Sequence, residues 1–282
     1  MGTSNGNRVT RELSKVAHHQ NGHGQEPEDI MPYALSGPVS EAVSGSGELI
    51  RIDGGAIQVP QTIYPAREVD LKPGWLDPRL VAFHDFDPQA VAPYNRLVIS
   101  LISAAASRKL KRVLIASAQH GDGRTSVTLN LAAALARARQ SVLVVESDFL
   151  RPSALRLLGF DTETGLAEAI AKNLPPSRAL VWLQPIGFNL LPARAQGENS
   201  AELLASPVFE MMMQLLRPEF DFILFDSAPL LASADASLLQ SHTDATLLVI
   251  RPGHVSTSQM AKAVAPLDED MLFGVVLNRA AV

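Results

Sequence analysis

Val113-Leu114-Ile115-Ala116 runs directly into Ser117-Ala118-Gln119-His120-Gly121-Asp122-Gly123-Arg124-Thr125, and a helical pattern, Ser126–Arg139, follows. An apolar run without inside–outside alternation reads as a strand covered on both faces of a parallel sheet. The turn behind it is made of small residues. Ala118, Gly121 and Gly123 permit tight turning and let backbone N–H groups approach an anion closely. The helix beginning at Thr125 aims its N-terminal amides and the positive end of its dipole at the same point.

Such a turn suits a nucleotide phosphate, and it meets the pattern G-x-x-x-x-G-K-[ST] in part, with Ala118 at the first Gly and Arg124 at the Lys. Gly121, Asp122, Gly123, Arg124, Thr125 and Ser126, with Ala118, are the expected cofactor-binding residues. Arg124 supplies a cation for the β/γ-phosphates and Thr125 a hydroxyl for Mg2+. A Gly-rich strand–helix connection without ligand is the bland alternative, and the context outside the loop decides against it.

Outward from this stretch, further short apolar strands alternate with helices: Val142–Val145, Asn189–Leu191, Phe222–Phe225, Ala245–Ile250 and Phe273–Leu277. The helical patterns are Tyr94–Ser107, Gly165–Ala171, Glu202–Leu216, Ala234–Gln240 and Ser256–Ala265. Met211, Met212 and Met213 are expected to pack in the core. The series predicts an α/β fold with a doubly wound, mainly parallel sheet over residues 79–282. Residues 1–78, rich in Gly, Ser, Pro, Asn and His, predict a mostly disordered tail in which Glu48–Ile52 and Ala56–Val59 could form isolated strands. His18, His19 and His23 there read as solvated polar residues rather than metal ligands.

The 282 residues carry a net charge of −5, which argues against a nucleic-acid partner held by phosphate contacts. The absence of Cys excludes thiolate metal sites and Cys nucleophiles. No apolar run reaches the ~18–20 residues of a bilayer span, and the N-terminus lacks a secretory apolar core. The expectation is a cytoplasmic protein without direct membrane insertion.

Two strands finish in carboxylates, Val142–Val145 in Glu146-Ser147-Asp148 and Phe222–Phe225 in Asp226-Ser227. Ligands of open parallel sheets sit beyond the carboxyl ends of the strands, beside the phosphate loop. Glu146, Asp148 and Asp226 are therefore candidate catalytic residues with Arg124. Thr125, Asp148 and Asp226 are the candidate Mg2+ ligands. A lone acid of this kind would read as a helix cap.

These residues resemble the bacterial tyrosine kinases of exopolysaccharide synthesis (BY-kinases of CpsD/CapB type) within the MinD/ParA group of P-loop ATPases. The resemblance covers roughly Pro88 to Ala280. Ser117–Thr125 with Asn130-Leu131-Ala132 is similar to the family's phosphate loop, Val142–Pro152 to its second Walker motif, and Asn199 to Ser206 to its Asn-Pro-x-Glu-Leu-Leu-x-Ser element. Ile223–Pro229 with Asp235-Ala236 is similar to the Walker B region, and Gly274–Asn278 to the strand whose Asn contacts adenine. The resemblance implies ATP or ADP with Mg2+ as cofactors, Asn278 and Arg251 near the base or ribose, and exopolysaccharide or capsule assembly as the process. It implies a partner too, the cytoplasmic segment of an inner-membrane chain-length or co-polymerase protein, which would recruit the chain to the membrane.

The departures point to a degenerate member. Arg124 stands at the catalytic Lys, and a planar fork replaces a compact ammonium poorly. Glu146 is one methylene longer than the usual Asp, and Leu150 stands at a usual Arg. The oligomerisation motif falls on Ala92, Asn95 and Val98 and is absent, which implies a monomer. Tyr33, Tyr64 and Tyr94 all precede the loop, so the family's C-terminal tyrosine cluster is missing. An autokinase and a nucleotide-dependent scaffold without phosphoryl transfer both stand open, and a MinD/ParA-type partitioning ATPase is the alternative class.

Overall fold

The computed structural model describes residues 48–52, 55–59, 65–84, 88–194 and 200–279. The histidines at 18, 19 and 23, Tyr33, Tyr64 and Asn199 lie outside them. The chain divides into two units, Met1–Gln61 and Thr62–Val282. The first contains an antiparallel pair, β1 (Glu48–Ile52) and β2 (Gly55–Val59), with Glu48 opposite Val59.

In the second unit the strands are β3 (Arg67–Asp70), β4 (Arg112–Ser117), β5 (Val142–Glu146), β6 (Val181–Gln184), β7 (Phe188–Leu191), β8 (Phe222–Asp226), β9 (Ala245–Ile250) and β10 (Leu272–Leu277). Between them run α1 (Pro88–Arg108), α2 (Arg124–Arg137), α3 (Ala154–Leu158), α4 (Leu166–Ala171), α5 (Ser200–Leu204), α6 (Pro207–Leu216), α7 (Asp235–Gln240) and α8 (Thr257–Val264). The strands form one sheet of order β10-β9-β4-β8-β5-β7-β6-β3, parallel except for the antiparallel β6–β7 pair. This is the expected doubly wound, mainly parallel architecture.

Strands β5, β7, β8 and β9 are buried at every residue, and β4 at all but Arg112. Burial without alternation requires cover on both faces, so the uninterrupted apolar runs follow directly from the topology. The edges differ: β3 is largely exposed and β10 half-buried. From β4 the chain crosses to β5 on one side, whereas β9 lies on the other. The carboxyl end of β4 is thus the point where the winding reverses, and a crevice opens there.

Two expectations change. The ordered domain begins before residue 79, because β3 lies within the stretch assigned to the tail and pairs in parallel with β6. Leu71 and Leu76 beyond it are buried. With one apolar residue in Arg67-Glu68-Val69-Asp70, this edge strand adds chiefly its backbone ladder and carries no hydrophobic signature. The single helix expected over Glu202–Leu216 is also broken in two. Ser206 caps α6 by accepting the Phe209 N–H at 3.1 Å, and Pro207 occupies the first turn, where no N–H is needed. Met212 and Met213 are buried, in keeping with core packing, whereas Met211 is only half-buried.

Asn130, fully buried on α2, ties the segment before α1 to the sheet domain. Its Oδ1 accepts the Ala82 N–H at 2.8 Å, and its Nδ2 donates to the carbonyls of Arg79 and Ser126, each at 2.8 Å. One amide side chain thereby fixes where Arg79 stands. Among the described residues no helix is long and apolar enough to cross a membrane.

Candidate functional site

Three strand ends meet in register at the crevice. Ile115 of β4 pairs with Asp226 of β8, and Asp226 pairs with Glu146 of β5. The loop 118–123 bridges β4 to α2. Gly121 and Gly123 both adopt left-handed backbone, φ 87° and 89°, which accounts for glycine at each. A Cβ on Gly123 would stand 1.9 Å from Asn278 Nδ2, and that amide donates to the Asp122 carbonyl at 2.8 Å. Asn278 therefore buttresses the loop from the end of β10.

Asp122 faces inward. Its Oδ2 accepts the Gln119 N–H at 2.9 Å, and its Oδ1 lies 2.6 Å from His254 Nδ1, with the carboxylate side chain only 1% exposed. The Gln119 amide donates to the His254 carbonyl at 2.8 Å. The loop is clamped to the turn after β9 through two residues, Gln119 and Asp122. Neither Gln119 nor His254 was singled out in the sequence, because their pairing depends on β9 lying beside β4.

Arg124 is buried at the head of α2. Its Nε donates to Asp226 Oδ1 and its Nη2 to Asp148 Oδ2, both at 2.8 Å, and its Nη1 to Ser117 Oγ at 3.0 Å. The expected catalytic cation and two expected acids are thus brought together, with the guanidinium as a bridge between the acids. Burial raises the Asp226 carboxyl above its ordinary range, while the Arg124 charge pulls it back down. Thr125 Oγ1 accepts from Ser153 Oγ at 3.1 Å.

Glu146 takes another direction. Its Oε1 accepts the N–H groups of Ser153 and Ala154 at 2.6 and 2.8 Å, and its Oε2 that of Ala193 at 3.1 Å. The extra methylene lets the carboxyl anchor the start of α3 instead of facing the loop. Burial, with the neighbouring Asp226 charge, pushes it up to about 7 against these hydrogen bonds.

A cleft of about 230 Å³ lies over the loop, lined by Gly121, Gly123, Arg124, Thr125, Ser126 and Asp148 among the expected residues. Arg79, Arg151 and Arg156 join the lining. Their signal in the sequence was weak, since arginines on a chain of net charge −5 read as ordinary surface. Asp122, Asp226, Asn278, Glu146, Ala118 and Arg251 do not line it. The Ala118 side chain is buried and its carbonyl accepts the Leu231 N–H, while Arg251 sits at the half-exposed start of the turn that carries His254.

The fit to Mg2+ is poor in this arrangement. The near oxygens of Asp148 and Asp226 are spent on a fixed guanidinium charge, which would repel a divalent ion placed between them. Asp226 Oδ2 remains as a buried oxygen without a well-formed hydrogen bond. Among the described residues no three acidic or histidine side chains converge as a cation site.

A small-residue loop at a helix start, set on the winding reversal of a parallel sheet, defines a P-loop nucleotide-binding protein. Residues 109–281 match the model of the ParA family, described as NUBPL iron-transfer P-loop NTPase, and the chain belongs to that family. Its relatives include the tyrosine-protein kinase YwqD of Bacillus subtilis, 28% identical over 187 residues, 66% of this chain and 79% of that protein. The tyrosine-protein kinase CpsD of Streptococcus pneumoniae is 29% identical over 201 residues, 69% of this chain and 86% of that protein. The kinase domain of the Escherichia coli tyrosine kinase ETK shares the fold, with a TM-score of 0.67 at 23% identity over 78% of this chain and 93% of that one. The resemblance read from the motifs agrees with these relatives.

Proposed function

We propose that this chain is a BY-kinase-like, ATP- or ADP-binding regulator of exopolysaccharide or capsule assembly in which transfer of phosphate to tyrosine is relaxed. The observation that carries this reading is Arg124, bridging Asp148 and Asp226 within a phosphate-binding loop that keeps Gly121, Gly123 and Thr125. Backbone amides at the head of α2 and the loop glycines hold the phosphates. Asp148 and Asp226 are the acids that act in such a site, and Thr125 and Ser126 offer hydroxyls. Phosphoryl transfer relies on positioning and charge stabilisation, and the guanidinium bridge bears on both. Glu146 acts as an anchor for α3 rather than as a catalytic group.

The similarity to CpsD and YwqD supports a cytoplasmic protein that works with the cytoplasmic segment of an inner-membrane chain-length protein. Iron transfer, named in the description of the matched family, finds no thiolate in a chain without Cys.

Two measurements test the reading. Calorimetric titration should give heat with ADP and ATP, and its absence at millimolar ligand would sink the nucleotide site. Incubation with Mg-ATP should give little phosphotyrosine on the chain itself or on a tyrosine-bearing peptide, with more in Arg124→Lys. Robust wild-type phosphotyrosine that vanishes in Asp148→Ala would make the chain an active kinase.

A further inference from the structure

We infer that Arg124 stands in for the divalent cation of the site, so that this chain takes a nucleoside di- or triphosphate without magnesium. The inference rests on the nucleotide-site reading above and concerns what neutralises the phosphates there. In a magnesium-dependent site one cation joins the protein's carboxylates to the β- and γ-oxygens. In this chain Arg124 already makes the carboxylate half of that bridge, with Asp226 and Asp148 each accepting from it at 2.8 Å.

The side-chain chemistry supplies the other half. A guanidinium has five N–H donors. Three are taken, by Asp226, Asp148 and Ser117, and two remain on a side chain that lines the phosphate cleft. At 6% exposure, and held at three points, the group is costly to move aside. Lysine at the same position would make point contacts from one nitrogen and would lack the planar fork that joins the two acids here.

The surroundings agree. Arg151 and Arg156 line the same cleft and add positive charge where a polyphosphate would lie, and Arg79 lines it as the partner of Asp77. Arg79 is itself oriented, its Nε and Nη2 donating to Asp77 at 2.7 and 2.8 Å, and its backbone carbonyl is held by Asn130. The cleft therefore meets phosphate charge with guanidinium groups, which bind phosphate oxygens bidentately.

The experiment is an ADP titration of the whole chain in EDTA and in excess Mg2+, with Mn2+ paramagnetic resonance run alongside. Equal or tighter affinity in EDTA, with Mn2+ held no more strongly than by free ADP, is the expected result. In Arg124→Lys, affinity in EDTA should fall at least tenfold and recover with Mg2+. A wild-type affinity that drops tenfold in EDTA and returns with Mg2+ would overturn the inference and leave the nucleotide site standing. Binding in neither buffer would overturn the nucleotide site, and this inference with it. The wild-type measurements decide the matter even where the variant fails to fold.

Discussion

His254 Nδ1 stands 2.6 Å from Asp122 Oδ1, joining the turn after β9 to the middle of the phosphate loop across 132 residues of sequence. The contact leaves the buried Asp122 carboxylate satisfied and gives the loop a fixed backing. His254→Ala should leave that carboxylate short of a partner, with a cost of about 1–3 kcal/mol. Chemical melts should show the loss, and ADP affinity should fall about tenfold as the loop loses its backing. Unchanged affinity in a folded variant would show that the clamp does not order the loop.

Gly123 permits no side chain. Its φ of 89° disfavours any other residue, and the added Cβ would meet Asn278 Nδ2. Gly123→Ala should lower stability by about 1–3 kcal/mol through backbone strain and collision together. Combining it with Asn278→Ala should restore part of the loss by removing the collision. A double variant as unstable as the sum of the two single ones would refute the collision.

Glu146 makes stability depend on pH. The folded carboxyl is pushed up to about 7, against 4.5 as an ordinary value. Between these values the folded chain keeps its proton while the unfolded chain releases it. The contribution is therefore complete below pH 4.5 and is lost as pH rises towards 7, by up to about 3 kcal/mol. Urea melts of Glu146→Gln should show a flatter profile over this window than the wild type. Equal slopes would place the titration elsewhere.

Asn130 is the hinge pin of the segment carrying Arg79. Asn130→Asp keeps the acceptor for the Ala82 N–H but cannot donate to the Arg79 and Ser126 carbonyls. A loss of about 1–3 kcal/mol is expected, together with faster hydrogen exchange over residues 79–83. Protection of that segment equal to the wild type would show that the backbone is held by other contacts.

The wholly apolar strands around Leu114, Val144 and Leu224 were legible because a strand buried on both faces must be apolar at every position. The strand Arg67–Asp70 was not, since an exposed edge contributes hydrogen bonds that leave no mark on residue type. The break at Ser206-Pro207 was readable in principle as a cap followed by a first-turn proline, yet the apolar spacing across it masked the boundary.

The loop follows the same division. Local chemistry by itself set the glycines at 121 and 123, the helix start within a residue of Thr125 and the acids that close β5 and β8, because backbone conformation and strand burial act over a few residues. Which partners those side chains take was decided only when β8 came to lie between β4 and β5, and β9 beside β4. That neighbour order sets Asp226 and Asp148 on either side of Arg124, turns Glu146 onto the N–H groups of Ser153, Ala154 and Ala193, and brings His254 to Asp122. Hydrogen bonds, including those between charged groups, form only at about 3 Å, so their partners belong to the packing of the sheet.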